Sequence, residues 1–328
     1  MGVHAGTVYF ARAMDIRQLR YFVAVVDARS ITAAAQQLHV VQSAISHQMA
    51  NLEAELGAAL LTRSHGGVRA TEAGQLLYRH AQAALKNIEA ARQAIASLGT
   101  EVRGAAAIGI PNSTVPLIAL PLLQRARERF PLVEISIFEG LSSMHRDLLA
   151  NGQLDLAILF ESVAPAGMEL TSLMSERLHF VCADARARET YAGLDAIRLH
   201  EVCKWPLLLP PRPNGIRVIL ERECQRAGLD LQLAANLSGV RTIWNAVRSG
   251  LGSTVMMAAN VDPAQASEVM VLPIRDPEIE RPAGIVQLAH LPLTQAASEL
   301  KKLVMEIVLE LVAAGNWPGA SLIAAPDA

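Results

Sequence analysis

The stretch Ala33–Arg63, AAAQQLHVVQSAISHQMANLEAELGAALLTR, holds two helical periods with almost no linker between them and ends on an arginine. In its second half, Ile45, Met49, Leu52 and Leu56 form an apolar seam. At 100° per residue their side chains fall within roughly 60° of arc. Gly57 stops that helix, which reads as Gln42–Leu56. The opposite face carries Ser43, Ser46, His47 and Ala50, not the Glu/Lys mixture of a solvated surface. Side chains this short let a helix lie deep in a major groove, where Ser, Gln and His exchange hydrogen bonds with base edges. Before it, Ser30 is placed as an N-cap, and Ile31, Ala34, Ala35 and Leu38 give the stripe of a second, shorter helix. Two short helices joined by a turn make a helix-turn-helix. A small helical bundle with an ordinary surface competes on periodicity alone.

The flanks favour the first reading. Upstream, from Met14, Ile16, Leu19, Phe22, Val23 and Val26 recur at helical spacing. Downstream, LLTRSHGGVRATEAG reads as a β-hairpin around Gly66–Gly67 that carries Arg63 and Arg69. Arginines on a hairpin beside such a helix suit phosphate or minor-groove contact. Thr71 then caps a long helix reaching about Leu98. Its Leu77, Ala81, Ala84, Ile88, Ala91, Ile95 and Leu98 alternate spacings of four and three. That is a coiled-coil seam, whose alanines admit a close partner.

From about Arg103 strands and helices alternate. AAAIGIP, VEISIFEG and LDLAILF read as strands around the helices PLIALPLLQRARERF and SSMHRDLLANG. A second series runs from LHFVCA to GSTVMMA, and the strand AGIVQLAH with a helix over about Leu293–Ala314 returns at the end. Two α/β halves with a late returning strand predict two lobes, with ligands bound at the carboxyl ends of strands.

Composition bounds the class. Apolar residues make up 52% and charged residues 18% of 328, the balance of a globular protein. The net charge of -2 does not advertise a polyanion partner, so any nucleic-acid contact must come from a local motif. Cys182, Cys203 and Cys224 show no CxxC or metal-ligand spacing and read as buried reduced thiols, with a redox switch as the lesser reading. Residues 1–13 lack the basic start and apolar run of a signal peptide and read as an upstream start or a disordered tail. No stretch reaches the roughly 18 apolar residues of a membrane span. A cytoplasmic protein without a cofactor or a metal is expected.

The residues Ala34–Ala35, Leu38, Gln42, Ile45–Ser46, Leu52–Glu53, Leu56–Gly57, Leu60 and Arg63 reproduce the spacing of the LysR-type transcriptional regulators. The resemblance extends from Met14 to about Ala314. LLLPPRPNGIR and LPLLQRARERFP look most like the branch containing the nitrogen assimilation control protein. The resemblance implies a winged helix-turn-helix (14–71), a linker helix that pairs subunits (72–102), and an effector domain of periplasmic-binding-protein shape (103–315). A tail (316–328) closes the chain. It implies double-stranded DNA and RNA polymerase as partners, a homodimer or homotetramer, and a regulator rather than an enzyme. Carried over by position, Gln42, Ser43, Ser46 and His47 face the operator, Thr32 lies near its backbone, and Arg63 grips phosphate. Arg29 departs from the family's usual glycine and is disfavoured if the turn needs a positive φ; Leu61 replaces a usual phenylalanine.

Most members of the family respond to a small, often anionic metabolite held between the lobes. Asn112, Ser113 and Thr114 precede the helix opened by Pro116, and Ser142 and Ser143 follow the second strand. Helix N-termini with hydroxyls suit carboxylate or phosphate, and Arg212 is placed to pair with an acid from the other lobe. Simple helix caps explain the same residues. In the nitrogen-control branch, activity is instead associated with protein abundance. An enzyme on the two-lobed domain finds no G-x-S-x-G, H-E-x-x-H, P-loop or Rossmann fingerprint. A solute-binding protein is opposed by the helical N-terminal domain and the missing signal peptide.

Overall fold

The computed structural model describes residues 14–64, 67–96 and 101–323. Residues 1–13, the hairpin tip at 65–66, Leu98 of the expected seam and residues 324–328 lie outside it. The chain divides into an N-terminal unit, which runs to Ile95 and takes in Ala150–Gln153, and a C-terminal unit built from Ala96–Leu149 and from Leu154 onward.

The N-terminal unit holds helices α1 (Ile16–Ala28), α2 (Ile31–Gln37) and α3 (Gln42–Leu56), strands β1 (Leu61–Ser64) and β2 (Gly67–Ala70), and the long helix α4 (Glu72–Ala96). Asp15 opens α1 with a capping box: its carboxylate accepts from Gln18 N at 2.7 Å, and the Gln18 side chain accepts from Asp15 N at 2.9 Å. Ser30 Oγ caps α2 by accepting from Ala33 N at 3.2 Å. The core is Phe22, Val25, Ile31, Ala34, Ala35, Ile45, Met49 and Leu52 with Leu60 and Val68. The face of α1 differs from the expected stripe. Val23 and Val26 are half-buried and Ile16 is exposed, while Leu19, Phe22 and Val25 are inside. Ile16 and Val23 lie roughly 100–120° around the helix from Phe22, beyond the arc that α2 and α3 cover. Leu56, the last residue of α3, likewise projects past the core into solvent.

Two hydrogen-bonded links fix the hairpin to the helices. Glu53 Oε1 accepts from Leu60 N and Leu61 N at 2.8 and 3.0 Å, seating the start of β1 on α3. Val68 N donates to Arg29 O at 2.8 Å, seating β2 on the turn between α1 and α2. Thr71 Oγ1 accepts from Gly74 N at 3.0 Å and so caps α4. Gly74 permits the close packing: a Cβ there would lie 2.0 Å from Leu60 O.

The C-terminal unit is a two-lobed α/β structure. Strands β3 (Arg103–Pro111), β4 (Leu132–Gly140) and β5 (Leu156–Leu159) alternate with α5 (Val115–Arg129) and α6 (Ser142–Ala150). The long β6 (Met168–Cys182) follows, then α7 (Ala185–Thr190), β7 (Ile197–Arg198), α8 (Leu199–Val202), β8 (Leu207–Leu209), α9 (Gly215–Arg226), β9 (Leu233–Asn236), α10 (Val240–Arg248) and β10 (Thr254–Met257). The chain returns through β11 (Met270–Arg275), β12 (Glu280–Leu288), α11 (Gln295–Ala313) and β13 (Ala320–Leu322). The main sheet runs β4-β3-β5-β12-β6-β11-β7, with β10 and β13 also paired to β6. The first two-thirds of β6 pairs with β12, and its last third pairs with β10 and β11. These two long strands therefore cross from one lobe to the other, as the late strand predicted.

The first lobe buries Ile108, Ile110, Leu122 and Ile158 under Leu300, Val304 and Ile307 of α11. The second buries Phe180, Leu199, Leu207, Leu220 and Val255. The segment past residue 315, expected to be a tail, is part of the core. Trp317 is 1% exposed, and β13 pairs with Met174–Glu176 of β6. The aromatic ring and the unpaired edge of β6 supply the burial and the backbone partners that a tail would lack.

Candidate functional site

Two separate regions carry recognition chemistry, one in each unit. In the first, α3 presents Gln42, Ser43 and His47 exposed and Ser46 half-buried, while Ile45, Met49 and Leu52 face inward. Gln42 Nε2 donates to Ser46 Oγ at 3.2 Å across one helical turn, which holds the amide along the helix face. Val41, the residue before the helix, is 68% exposed beside them and offers an apolar contact of the kind a thymine methyl takes. Thr32 is exposed in the first turn of α2. Arg63 pairs with Val68 in the β1–β2 ladder; its side chain lies outside the described residues. Arg69 is exposed on β2.

Neither turn of the helix-turn-helix uses glycine where its backbone turns left-handed. Arg29 sits at φ 50° and His39 at φ 53°. The strain foreseen at Arg29 is therefore present, and the Arg29 carbonyl it positions is the one that receives Val68 N–H.

In the second region a cavity of about 250 Å³ opens between the two lobes. The first lobe contributes Asn112 and Ser113 after β3, Ser142 and Ser143 at the start of α6, and Arg146, Phe160 and Glu161. The second contributes Asn214, Gly215 and Ile216 at the start of α9, with Ser238, Thr254 and Met256. Ser142 Oγ accepts from Phe160 N at 3.4 Å and ties the end of β5 to α6.

Two of the expected cavity residues lie elsewhere. Thr114 is fully buried, and its hydroxyl donates to Pro111 O at 3.0 Å instead of turning into the cavity. Arg212 points to solvent with a side chain 73% exposed and pairs with Glu221 of α9, within its own lobe. Both its Nε and its Nη2 donate to Glu221 Oε2, at 2.7 and 2.6 Å, which leaves the guanidinium committed away from the other lobe.

The cavity's buried arginine is Arg281, which sequence reading missed. It stands on β12 directly opposite Glu176 of β6, and the two are 4% and 2% exposed. Arg281 Nε and Nη2 both donate to Glu176 Oε2, and Trp317 Nε1 donates to Glu176 Oε1 at 2.8 Å. The guanidinium carbon lies 3.2 Å from the Phe160 ring centroid, and Nη2 reaches Ser113 Oγ at 3.4 Å. Burial pulls the guanidinium pKa below its ordinary value, and Glu176 opposes that pull. A second arginine of the cavity, Arg146, pairs with Glu161. A signal for Arg281 existed in the sequence. It shares the inward parity of Ala283 and Ile285 on one strand, where an arginine is out of place unless it is paired.

Comparison with known proteins places both regions. Residues 16–75 match the family described as "Bacterial regulatory helix-turn-helix protein, lysR family", and residues 99–308 match the "LysR substrate binding domain". The nitrogen assimilation regulatory protein nac of Klebsiella aerogenes is 31% identical over 297 residues, covering 90% of this chain and 95% of that protein. Among solved structures, a full-length OxyR variant from Pseudomonas aeruginosa superposes with a TM-score of 0.74 at 22% identity, covering 90% of this chain and 95% of the other. Full-length CbnR complexed with its target DNA superposes with a TM-score of 0.59 at 22% identity, covering 90% and 100%.

Proposed function

The chain belongs to the LysR family of bacterial transcriptional regulators, and from that premise we propose which of its residues read DNA and what its cavity holds. It regulates transcription by binding DNA through the helix-turn-helix as an oligomer, with an effector-binding domain attached. On our reading Gln42, Ser43, Ser46 and His47 contact base edges, Thr32 lies at the backbone, and Arg63 of the hairpin holds phosphate. The observation that carries this is the polar face of α3, set opposite the buried Ile45, Met49 and Leu52. Base contacts discriminate, whereas phosphate contacts position. Gln42→Ala or Ser46→Ala should cost about 1–3 kcal/mol on a cognate site and narrow the gap to random DNA. Arg63→Ala should weaken all sequences alike and lower the salt slope by about one. Gel shifts across a salt series distinguish these, and unchanged specificity in both α3 variants would defeat the assignment.

The cavity, on the same reading, takes a small anionic metabolite at Ser113, Ser142 and the N-terminus of α6, with Arg281 as the charge behind them. Its about 250 Å³ suits a small acid. Filling it should raise the melting temperature by mass action. That rise should vanish in Ser113→Ala with Ser142→Ala and persist in Arg212→Ala. One observation favours a second reading, control by abundance without an effector: Arg146 and Arg281 each already have a carboxylate partner. A screen of organic acids and inorganic anions that moves neither melting temperature nor operator affinity would select that reading.

A regulator of this family has no need of catalysis, and we infer that the cavity performs none: the Ser113 hydroxyl meets a guanidinium, not a base. Among the described residues no helix is long and apolar enough to cross a membrane. A cytoplasmic location agrees with the DNA-binding role.

A further inference from the structure

The second lobe buries two thiols in contact. Cys203 directly follows α8, Cys224 lies in the last turn of α9, and they are 7% and 2% exposed. Their sulfurs are 3.5 Å apart among Leu199, Val202 and Leu220. A disulfide needs about 2.05 Å, so closing the bond asks each side chain for less than an ångström of movement. The thiols are not equivalent. Their mutual hydrogen bond favours the thiolate of the sulfur that accepts it and disfavours ionisation of the one that donates, while burial opposes ionisation of both. Cys203, the less buried of the two, is the sulfur a small oxidant reaches first. Cys182 is an internal contrast: its sulfur meets Ser253 Oγ at 3.1 Å, and burial raises its pKa.

We propose that Cys203 and Cys224 are a reversible dithiol–disulfide pair, closed by a peroxide. In the first step the Cys203 thiolate attacks one peroxide oxygen, the O–O bond breaks, and the departing hydroxide takes a proton to leave as water. The resulting Cys203 sulfenic acid is then attacked at sulfur by Cys224, which gives up its proton as a second water leaves and the S–S bond forms. Two thiols and one hydrogen peroxide become one disulfide and two waters, the thiols losing the two electrons that peroxide gains. A small dithiol reverses the step by exchange. The bond has a place to act. The first residues of α9 wall the inter-lobe cavity, and Cys224 sits on that helix about 13 Å farther along. Closing the bond pins α9 to the segment after α8.

The test uses the reduced full-length chain. It is treated with hydrogen peroxide, denatured, alkylated and digested without reductant for mass spectrometry. The expected product is a peptide pair joined through Cys203 and Cys224, two hydrogens lighter than the free peptides, with Cys182 alkylated throughout and both partners released by dithiothreitol. In Cys224→Ser the sulfenic acid should persist on Cys203 and be trapped by dimedone, whereas Cys203→Ser should leave Cys224 fully alkylated. If both thiols of the native protein remain alkylatable after peroxide, the pair only fills the core. Oxidation of Cys203 to sulfinate with Cys224 left free would equally overturn the proposal.

Discussion

Removing Glu176 is the most informative single perturbation of the effector domain. Its carboxylate is the only acidic group bonded to Arg281 among the described residues, and it also accepts the Trp317 indole N–H. With both charged groups 4% exposed or less, solvent does not replace a lost partner. Breaking a buried pair from one side costs about 3–5 kcal/mol, because the remaining charge stays buried. An orphaned donor adds about 1–3 kcal/mol. Glu176→Ala should therefore lose about 4–8 kcal/mol, a large part of the roughly 5–15 kcal/mol that holds a domain. Glu176→Gln keeps an acceptor for Trp317 and should lose about 3 kcal/mol. Adding Arg281→Met to Glu176→Gln removes the stranded charge and should recover about 2 kcal/mol of that loss. Urea unfolding followed by tryptophan fluorescence reports on this domain, because the chain's 3 tryptophans, Trp205, Trp244 and Trp317, all lie in it. Two results would refute the reasoning. One is a Glu176→Ala variant within about 1 kcal/mol of the parent; the other is Arg281→Met costing as much in the Glu176→Gln background as alone.

Arg29→Gly and His39→Gly should each stabilise the N-terminal unit by about 1 kcal/mol, since both positions are left-handed and a Cβ is disfavoured there; melting of the variants without DNA checks this. His145 and His179 are buried, and burial holds both pKa values below the ordinary range. Only the unfolded chain takes up their protons freely, so stability should be full above about pH 6.5 and fall as pH drops below it, read from urea midpoints across pH. Ile88→Asp with Ile95→Asp should abolish pairing through α4 and weaken operator binding by orders of magnitude, because two tethered half-site modules become independent. Sedimentation measures the first effect and gel shift the second, and an unaltered oligomer with full affinity would remove α4 from the interface.

What is legible in the sequence is what short-range pattern encodes. The bounds of α3 follow from its seam and from Gly57, which ends it at φ 64°. The alternating strands and helices of the first lobe follow from runs whose period changes at turn residues. Other features resist for physical reasons. Only the LHFVC end of β6 reads as a strand, because MELTSLMSER mixes polar and apolar residues on a strand whose two parts serve different lobes. The last segment reads as a tail because residues 316–323 carry too little periodicity to reveal that Trp317 is an anchor. Arg212 draws notice by its position in the loop between β8 and α9, and Arg281 escapes it inside a strand, although the first ends exposed and the second buried.

That exchange of arginines follows from cost. A guanidinium on a reversing loop keeps its water and takes whatever carboxylate is nearest, here Glu221. A guanidinium on a central strand has no such choice and persists only where a partner is built opposite it, as Glu176 is in the ladder register. The Arg281–Glu176 pair also joins β6 to β12, the strands that pass between the lobes, and through Trp317 reaches the segment after α11. An anion drawn to Arg281 would compete with Glu176 for the same donors, so its binding energy works against the bond that links the crossing strands. Only a ligand with different affinities for two lobe arrangements shifts their balance. Arg281 is the residue at which such a difference has the most to act upon.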